Sequence, residues 1–411
     1  MSGLSEGASR APTLALKDEM YLIQGESAFT YLPIIRQLES RGVKVISFGI
    51  GQPDYPTPKH IREAAKDALD QGFTGYTETA GIPELREAIA DYLNGRYGAD
   101  VKPDEIVVTT GTKTALFMTG AAYLRPGDEA IVIEPSYYAY AQVTRFFGAR
   151  PVFVPMDFRP GEGFTLDISK VERAITPRTR MMFFNNPHNP TGAVVPPGEV
   201  RELIELARSR NIVVVADEIY DNFLYDAQFE STLSTPGWRD FLIYINGFSK
   251  TFSMTGWRLG YMVARREVID RVLDLAVSVY SCANSIAQKA GVAALRGDWT
   301  PTREMVAEFR RRAEALYGAL RGVPGLEAYK PQGAFYMFPR ASGLMKAIGA
   351  TSVSELVNRL LYERGVLVLP GTAFPDRAGA EYIRFSFATS MENIVEGVRR
   401  IAEFARDAVK G

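Results

Sequence analysis

The stretch FLIYINGFSKTFSMTGWRLGYMVAR, residues 241–265, holds the two patterns that decide the architecture. It opens on FLIYINGF (241–248), passes through a polar turn, and resumes as GYMVAR (260–265). The first run is apolar on successive residues, so a strand built from it buries both faces, as strands of parallel sheets do. Outward from it, EIVVTT (105–110), EAIVIEP (129–135), RPVFVP (150–155), MMFFNN (181–186) and IVVVADE (212–218) also read as strands, and several of them share this two-faced apolar character. Between these runs lie segments with helical periodicity, such as TALFMTGAAYL (114–124) and PPGEVRELIELARSR (196–210). Strand–helix alternation of this kind predicts an α/β fold: a large domain with a mostly parallel sheet flanked by helices.

The ends of the chain read differently. LPIIRQLESRG (32–42) is helical and a short strand follows it before residue 48; residues 301–322 form an Arg/Glu-rich helix, and NIVEGVRRIAEFARDAV (393–409) closes the chain. The expected organisation is an arm (1–30), a smaller α+β domain from both chain ends (31–65 and 301–411), and the large domain (66–300). A chain of 411 residues accommodates two such domains.

Composition narrows the chemistry. Forty-seven basic residues balance 48 acidic ones, so there is no basic stripe and a nucleic-acid partner is not expected. The first twenty residues lack the pattern of a secretory leader and no run of eighteen apolar residues occurs. The expectation is a cytoplasmic protein without a membrane partner. One cysteine, Cys282, and two histidines, His60 and His188, leave no set for a cysteine-rich or His-based metal site or a His-containing triad. No metal is expected, and a borrowed organic cofactor is the natural source of reactivity.

Lys250 follows the carboxyl end of the 241–248 run, where open α/β sheets place their ligands. Phe248, Phe252 and Trp257 surround it in sequence; desolvation favours the neutral amine, which can form a Schiff base with an aldehyde. Arg258 could clamp a phosphate with its planar fork. Asp217 ends a strand made almost wholly of valine, so its carboxylate needs a cationic partner, for which a protonated pyridine nitrogen is suited. The alternative for Asp217 is an ordinary helix cap. Tyr220, in ADEIYD (216–221), could reach the phenolic oxygen of the same ring. The loop NNPHNPTG (185–192) aims Asn189 at that oxygen or at a substrate carboxylate, and His188 reads as structural. TTGTKTAL (109–116) is a small-residue turn opening a helix, a phosphate cup lined by Gly111, Thr112 and Lys113. Lys113 is equally readable as a plain helix-start side chain. Neither nucleotide motif, GxxxxGKT or GxGxxG, occurs here.

Taken together with GIGQPDYPTP (49–58), these motifs resemble the class I aminotransferases of the fold-type I pyridoxal-phosphate family, most of all the archaeal aspartate aminotransferase branch. The resemblance runs in order from about Gly25 to the C-terminus. It implies pyridoxal 5'-phosphate as cofactor, with Lys250 as the lysine that holds it and later moves the substrate proton. It places Asp217 on the pyridine nitrogen, Tyr220 and Asn189 on the ring oxygen, Arg258 on the phosphate, and Tyr137 of EPSYYAY (134–140) against the ring face. Arg384 of EYIRFSFA (381–388) is implied to fork onto the substrate α-carboxylate, helped by the backbone at Gly51. Tyr76 is implied to reach the neighbouring subunit's phosphate site, hence a homodimer.

Three positions depart from better-known relatives. Gly247 stands where many have a hydroxyl residue, Tyr137 replaces a tryptophan, and no arginine matches the one that reads a dicarboxylate side chain. The expected reaction is ping-pong transfer of an amino group from an L-amino acid to 2-oxoglutarate through pyridoxamine phosphate. Aspartate is the first-choice donor; alanine, aromatic amino acids or 2-aminoadipate are alternatives, as is a lyase on the same scaffold. A pyridoxal-phosphate-sensing transcription regulator would need a helix-turn-helix module, for which a thirty-residue arm has no room.

Overall fold

A strand with apolar side chains on both faces needs a core on each side, and the chain supplies two. The computed structural model describes residues 18–23, 25, 27–374 and 378–410. Of the expected arm, residues 1–17, 24 and 26 lie outside these. Among the described residues one sheet has seven strands, in the order Ile106–Thr109, Gly260–Val263, Leu242–Gly247, Val213–Asp217, Thr179–Asn185, Glu129–Glu134, Arg150–Pro155. These are the seven apolar runs of the sequence. Successive residues alternate between the cores: Ile131, Met182, Val214 and Ala216 join one cluster, while Val132, Met181, Phe183 and Val215 join the other.

Neighbouring strands are parallel except Gly260–Val263, which runs antiparallel to both of its neighbours. Register matters for function, because it sets the strand ends level: Asn185 lies opposite Asp217, and Asp217 opposite Ile245. Helices cover the faces for reasons visible in their spacing. Pro197–Ser209 starts on two prolines that suit its first turn, and it buries Val200, Leu203, Ile204 and Ala207 along one stripe. Val353–Arg364 is capped by the Ser352 hydroxyl, which accepts from the Glu355 amide at 3.1 Å, and ends on Gly365 in the left-handed region.

The two ends of the chain meet in space. Ile46–Ser47 pairs in parallel with Val366–Leu367, and the strands Tyr336–Met337, Ile383–Ser386 and Leu369–Pro370 form a small antiparallel sheet. The helix Thr300–Leu320 packs along Met391–Lys410. Its buried Phe309 faces the rings of Phe223 and Phe335, each centred 5.4 Å away, and Phe387 at 6.3 Å. Phe309 thus joins a segment just past the large sheet to two segments of the small one. Removing a fully buried ring costs about 3–5 kcal/mol. Phe309→Ala is expected to lower the thermal midpoint clearly, with both sheets melting together, as read by calorimetry and far-ultraviolet dichroism.

Candidate active site

The level strand ends open into a cavity of about 580 Å³, within the size range of small-molecule sites. Its walls bring together Gly51, Thr112, Lys113, Tyr137, Asn189, Asp217, Tyr220, Lys250, Arg258 and Arg384, residues spread over more than 330 positions of sequence. Gly111 lies just behind Thr112, against Arg258. Tyr76 does not line the cavity, and it is 92% exposed.

Lys250 sits half-buried in the turn after Leu242–Gly247, and its Nζ donates to the Gly51 carbonyl at 2.7 Å. Asp217 is buried at the end of Val213–Asp217. Its Oδ2 accepts from the Tyr140 hydroxyl at 2.9 Å and its Oδ1 from the Ile219 amide at 3.3 Å. Burial lifts the Asp217 carboxyl to about 6, against the Tyr140 and Ile219 bonds and the Lys250 charge, which pull it down. The neighbouring Asn185 steadies this strand end, donating to the Asp217 carbonyl at 2.8 Å and accepting from the Asn189 amide at 2.8 Å.

Arg384 arrives on Ile383–Ser386 from the small sheet. Its Nη1 donates to Asn189 Oδ1 at 3.2 Å and its Nη2 to the Gly49 carbonyl at 2.5 Å. The guanidinium is sandwiched between the rings of Tyr336 and Phe374, at 4.5 and 4.6 Å. The Tyr336 hydroxyl in turn lies 2.8 Å from that of Tyr220. Burial, reinforced by the Tyr336 hydroxyl, pushes the Tyr220 phenol well above its ordinary range, so it stays a neutral hydrogen-bonding group. Lys113 Nζ donates to the Tyr138 hydroxyl at 2.9 Å, and Tyr137 packs edge-on to Tyr138 and Tyr140.

Two glycines lie close behind the residues that line the cavity. Gly111 adopts φ +86° as the residue that starts Thr112–Tyr123, and a Cβ there would lie 2.5 Å from Arg258 Nη2. Gly247 explains its own departure from the hydroxyl pattern: a Cβ would meet Gly260 Cα and the Leu259 carbonyl at 3.0 Å. Four cationic side chains and one buried carboxylate line the cavity, a balance that suits a ligand carrying several negative charges and one positive centre. These features fit the expected cofactor: a helix start with Arg258 for a phosphate, an amine for an aldehyde, a carboxylate for a ring nitrogen.

His188 and Cys282 stay outside this chemistry. His188 is buried with its Nδ1 2.8 Å from Thr191 Oγ1, and burial lowers the imidazole to about 3, leaving it neutral. Among the described residues no group of three or more His, Cys, Asp or Glu could hold a metal, and no helix is long and apolar enough to cross a membrane. Sequence reasoning missed Tyr140, Tyr336 and Asn185. Tyr140 stands three residues after Tyr137 in EPSYYAY (134–140), inside the helix Ala139–Phe146 that begins just past Tyr137; Tyr336 sits in an apolar run, GAFYMF (333–338), that reads as core.

The family model for class I and II aminotransferases matches residues 43–401. An aspartate aminotransferase of Sulfurisphaera tokodaii is 45% identical over 383 residues, 93% of this chain and 95% of that protein. The solved structure of aspartate aminotransferase from Thermus thermophilus with maleate is similar with a TM-score of 0.88 at 36% identity, covering 95% of this chain and all of that one. An alanine aminotransferase from Pyrococcus furiosus gives a TM-score of 0.89 at 31% identity, over 96% of this chain and all of that one.

The raised Asp217 carboxyl has a measurable sign. A group whose folded value exceeds its unfolded one stabilises the fold at low pH, and that stability is lost as pH rises, here from about 4 to about 6. In cofactor-free protein, Asp217→Asn should therefore gain stability relative to wild type across this window, by up to about 3 kcal/mol. Chemical denaturation at pH 4 and pH 7 measures the difference.

Proposed function

The chain belongs to the class I and II aminotransferase family, and from that premise we propose that it moves the amino group of L-aspartate to 2-oxoglutarate with pyridoxal 5'-phosphate in the 580 Å³ cavity. One observation carries the reading: the Lys250 amine and the buried Asp217 carboxylate face the same cavity, with the arginine-lined helix start on its wall. The name of the Sulfurisphaera relative supports aspartate as donor.

When bound, the cofactor supplies an aldehyde for the amine and a ring that holds the electrons released at the substrate carbon. Every other task falls to the chain. Asp217, paid for by Tyr140 and Ile219, keeps the ring nitrogen protonated. Tyr220 and Asn189 would hold the ring oxygen, while Arg258, with the main-chain amides of Gly111, Thr112 and Lys113 and the side chains of Thr112 and Lys113, would hold the phosphate. Tyr137 packs on the ring face. Arg384 forks onto the α-carboxylate of the incoming amino acid, its guanidinium already aimed by Asn189, Gly49, Tyr336 and Phe374. Lys250 would exchange the Gly51 carbonyl for the substrate and serve as the base that holds and moves the proton at the substrate Cα. The first oxo acid leaves before the second enters, a ping-pong order.

The reading includes a cytoplasmic homodimer in which the exposed Tyr76 completes the neighbour's phosphate site. It also includes the division into arm, large domain 66–300 and small domain 31–65 with 301–411, the small domain carrying Arg384 over the substrate. The likeness to an alanine aminotransferase favours alanine as the second donor.

A donor panel against 2-oxoglutarate tests the assignment. Aspartate should exceed alanine at least tenfold in kcat/KM, and equal values would replace aspartate with a broad donor set. Lys250→Ala should abolish turnover; a variant transaminating at the wild-type rate would overturn the mechanism. Arg384→Lys keeps the charge but loses the two-pronged fork and should lower kcat/KM about 10- to 100-fold, chiefly through KM.

A further inference from the structure

A second cavity of about 510 Å³ shares no lining residue with the first and is nearly as large. One wall is a single helical face: Arg303, Val306, Ala307 and Arg310 recur at three- and four-residue steps along Thr300–Leu320. Arg303 and Arg310 therefore stand two turns apart, roughly 10 Å along the axis, with apolar surface between them. Leu224 and Trp299 extend that apolar floor.

Across the floor lies Arg96, in the last turn of Pro83–Tyr97. Its guanidinium rests 5.8 and 5.5 Å from the rings of Tyr92 and Tyr97, and donates to two neutral oxygens: Asn222 Oδ1 at 2.9 Å and the Asp221 carbonyl at 3.0 Å. Arg310 pairs with Asp226 at 3.1 Å and Arg303 stands 4.0 Å from Asp298, yet neither carboxylate lines the cavity. Three guanidiniums thus surround an apolar floor; each has a carboxylate near it, Asp221, Asp298 or Asp226, and none of these carboxylates lines the cavity. Its polar base leads to the catalytic lysine. Asn222 Nδ2 donates to Thr251 Oγ1 at 3.3 Å and Thr302 Oγ1 to the Thr251 carbonyl at 3.1 Å, and Thr251 is bonded directly to Lys250.

We propose that this cavity is an effector site for a small carboxylate with an apolar body, whose occupancy is read at Lys250 through Asn222, Thr302 and Thr251. The carboxylate sits on the arginines, where planar forks match it. The body covers Leu224, Val306 and Ala307, which otherwise leave apolar surface in water. An occupant that shifts Asn222 or Thr302 shifts the residue after the lysine, so the effect falls on the rate of proton movement rather than on substrate docking at Arg384.

The probe is 3-phenylpropionate. Calorimetric titration of holoenzyme carrying Arg384→Ala, which removes carboxylate binding in the catalytic cavity, should show saturable binding. Adding Arg303→Gln and Arg310→Gln should weaken it at least tenfold, and the uncharged 3-phenylpropanol should not bind. Ala307→Trp fills the floor without removing a charge and should abolish binding as well. In wild-type holoenzyme saturated with both substrates, the probe should change kcat at least twofold; Arg303→Gln/Arg310→Gln should keep the basal kcat and lose this response. Equal affinity in the arginine and Ala307→Trp variants, or bound probe with unchanged kcat, overturns the proposal. The titration needs no turnover, so it stands or falls apart from the aminotransferase reading.

Discussion

Carboxylates ending apolar strands must find compensation, since desolvating an unpaired charge costs several kcal/mol even after relaxation. Asp217 meets this constraint with a phenol, a backbone amide and the field of Lys250, and still burial holds its carboxyl up at about 6. The rest of the centre follows from that placement. Parallel register sets Asn185 beside it, Asn185 holds the Asn189 amide, and Asn189 accepts from Arg384. A chain of ordinary hydrogen bonds therefore runs from the Asp217 main-chain carbonyl, through Asn185 and Asn189, to the guanidinium on the other sheet. The strand end that carries the buried carboxylate and the arginine that faces the cavity are thus held in one frame.

Much of this was legible in the sequence because most of the strands are apolar on both faces, the edge strand Arg150–Pro155 being the more exposed exception. That pattern separates buried parallel strands from half-buried ones, so all seven runs of the large sheet could be read directly. Their spatial order could not, nor the reversed direction of Gly260–Val263, because both depend on where crossovers land. Lys250, Asp217, Asn189 and Arg258 stand out because each interrupts or follows an apolar run at a strand end. Arg384, Tyr137 and Tyr76 carry no such local signal and were reachable only through resemblance to a family. Tyr336 and Tyr140 were missed for a different reason: a tyrosine among apolar residues looks like core until its hydroxyl partner is known.

Two glycines show how backbone proximity limits side chains beside the cavity. A Cβ at Gly247 would lie 3.0 Å from Gly260 Cα and from the Leu259 carbonyl, so the adjoining strand would have to give by a few tenths of an ångström. A Cβ at Gly111, where φ is +86°, would meet Arg258 Nη2 at 2.5 Å and displace the guanidinium that faces the cavity.

The pairing of Ile46–Ser47 with Val366–Leu367 has a consequence for how the protein is born. At about 5–20 residues per second, a ribosome emits the second strand roughly 15 to 60 seconds after the first. Until then the early segment, with Gly49 and Gly51 beside it, has no partner strand, and Arg384 is made later still. All seven strands of the large sheet are synthesised before Arg384, so the catalytic centre is assembled late. One of the two cores flanking that sheet waits as well, since it takes in Phe309, Phe335, Phe385 and Ile401 from the C-terminal third. A nascent chain therefore carries one core with all its residues made and one still open until its last segments emerge.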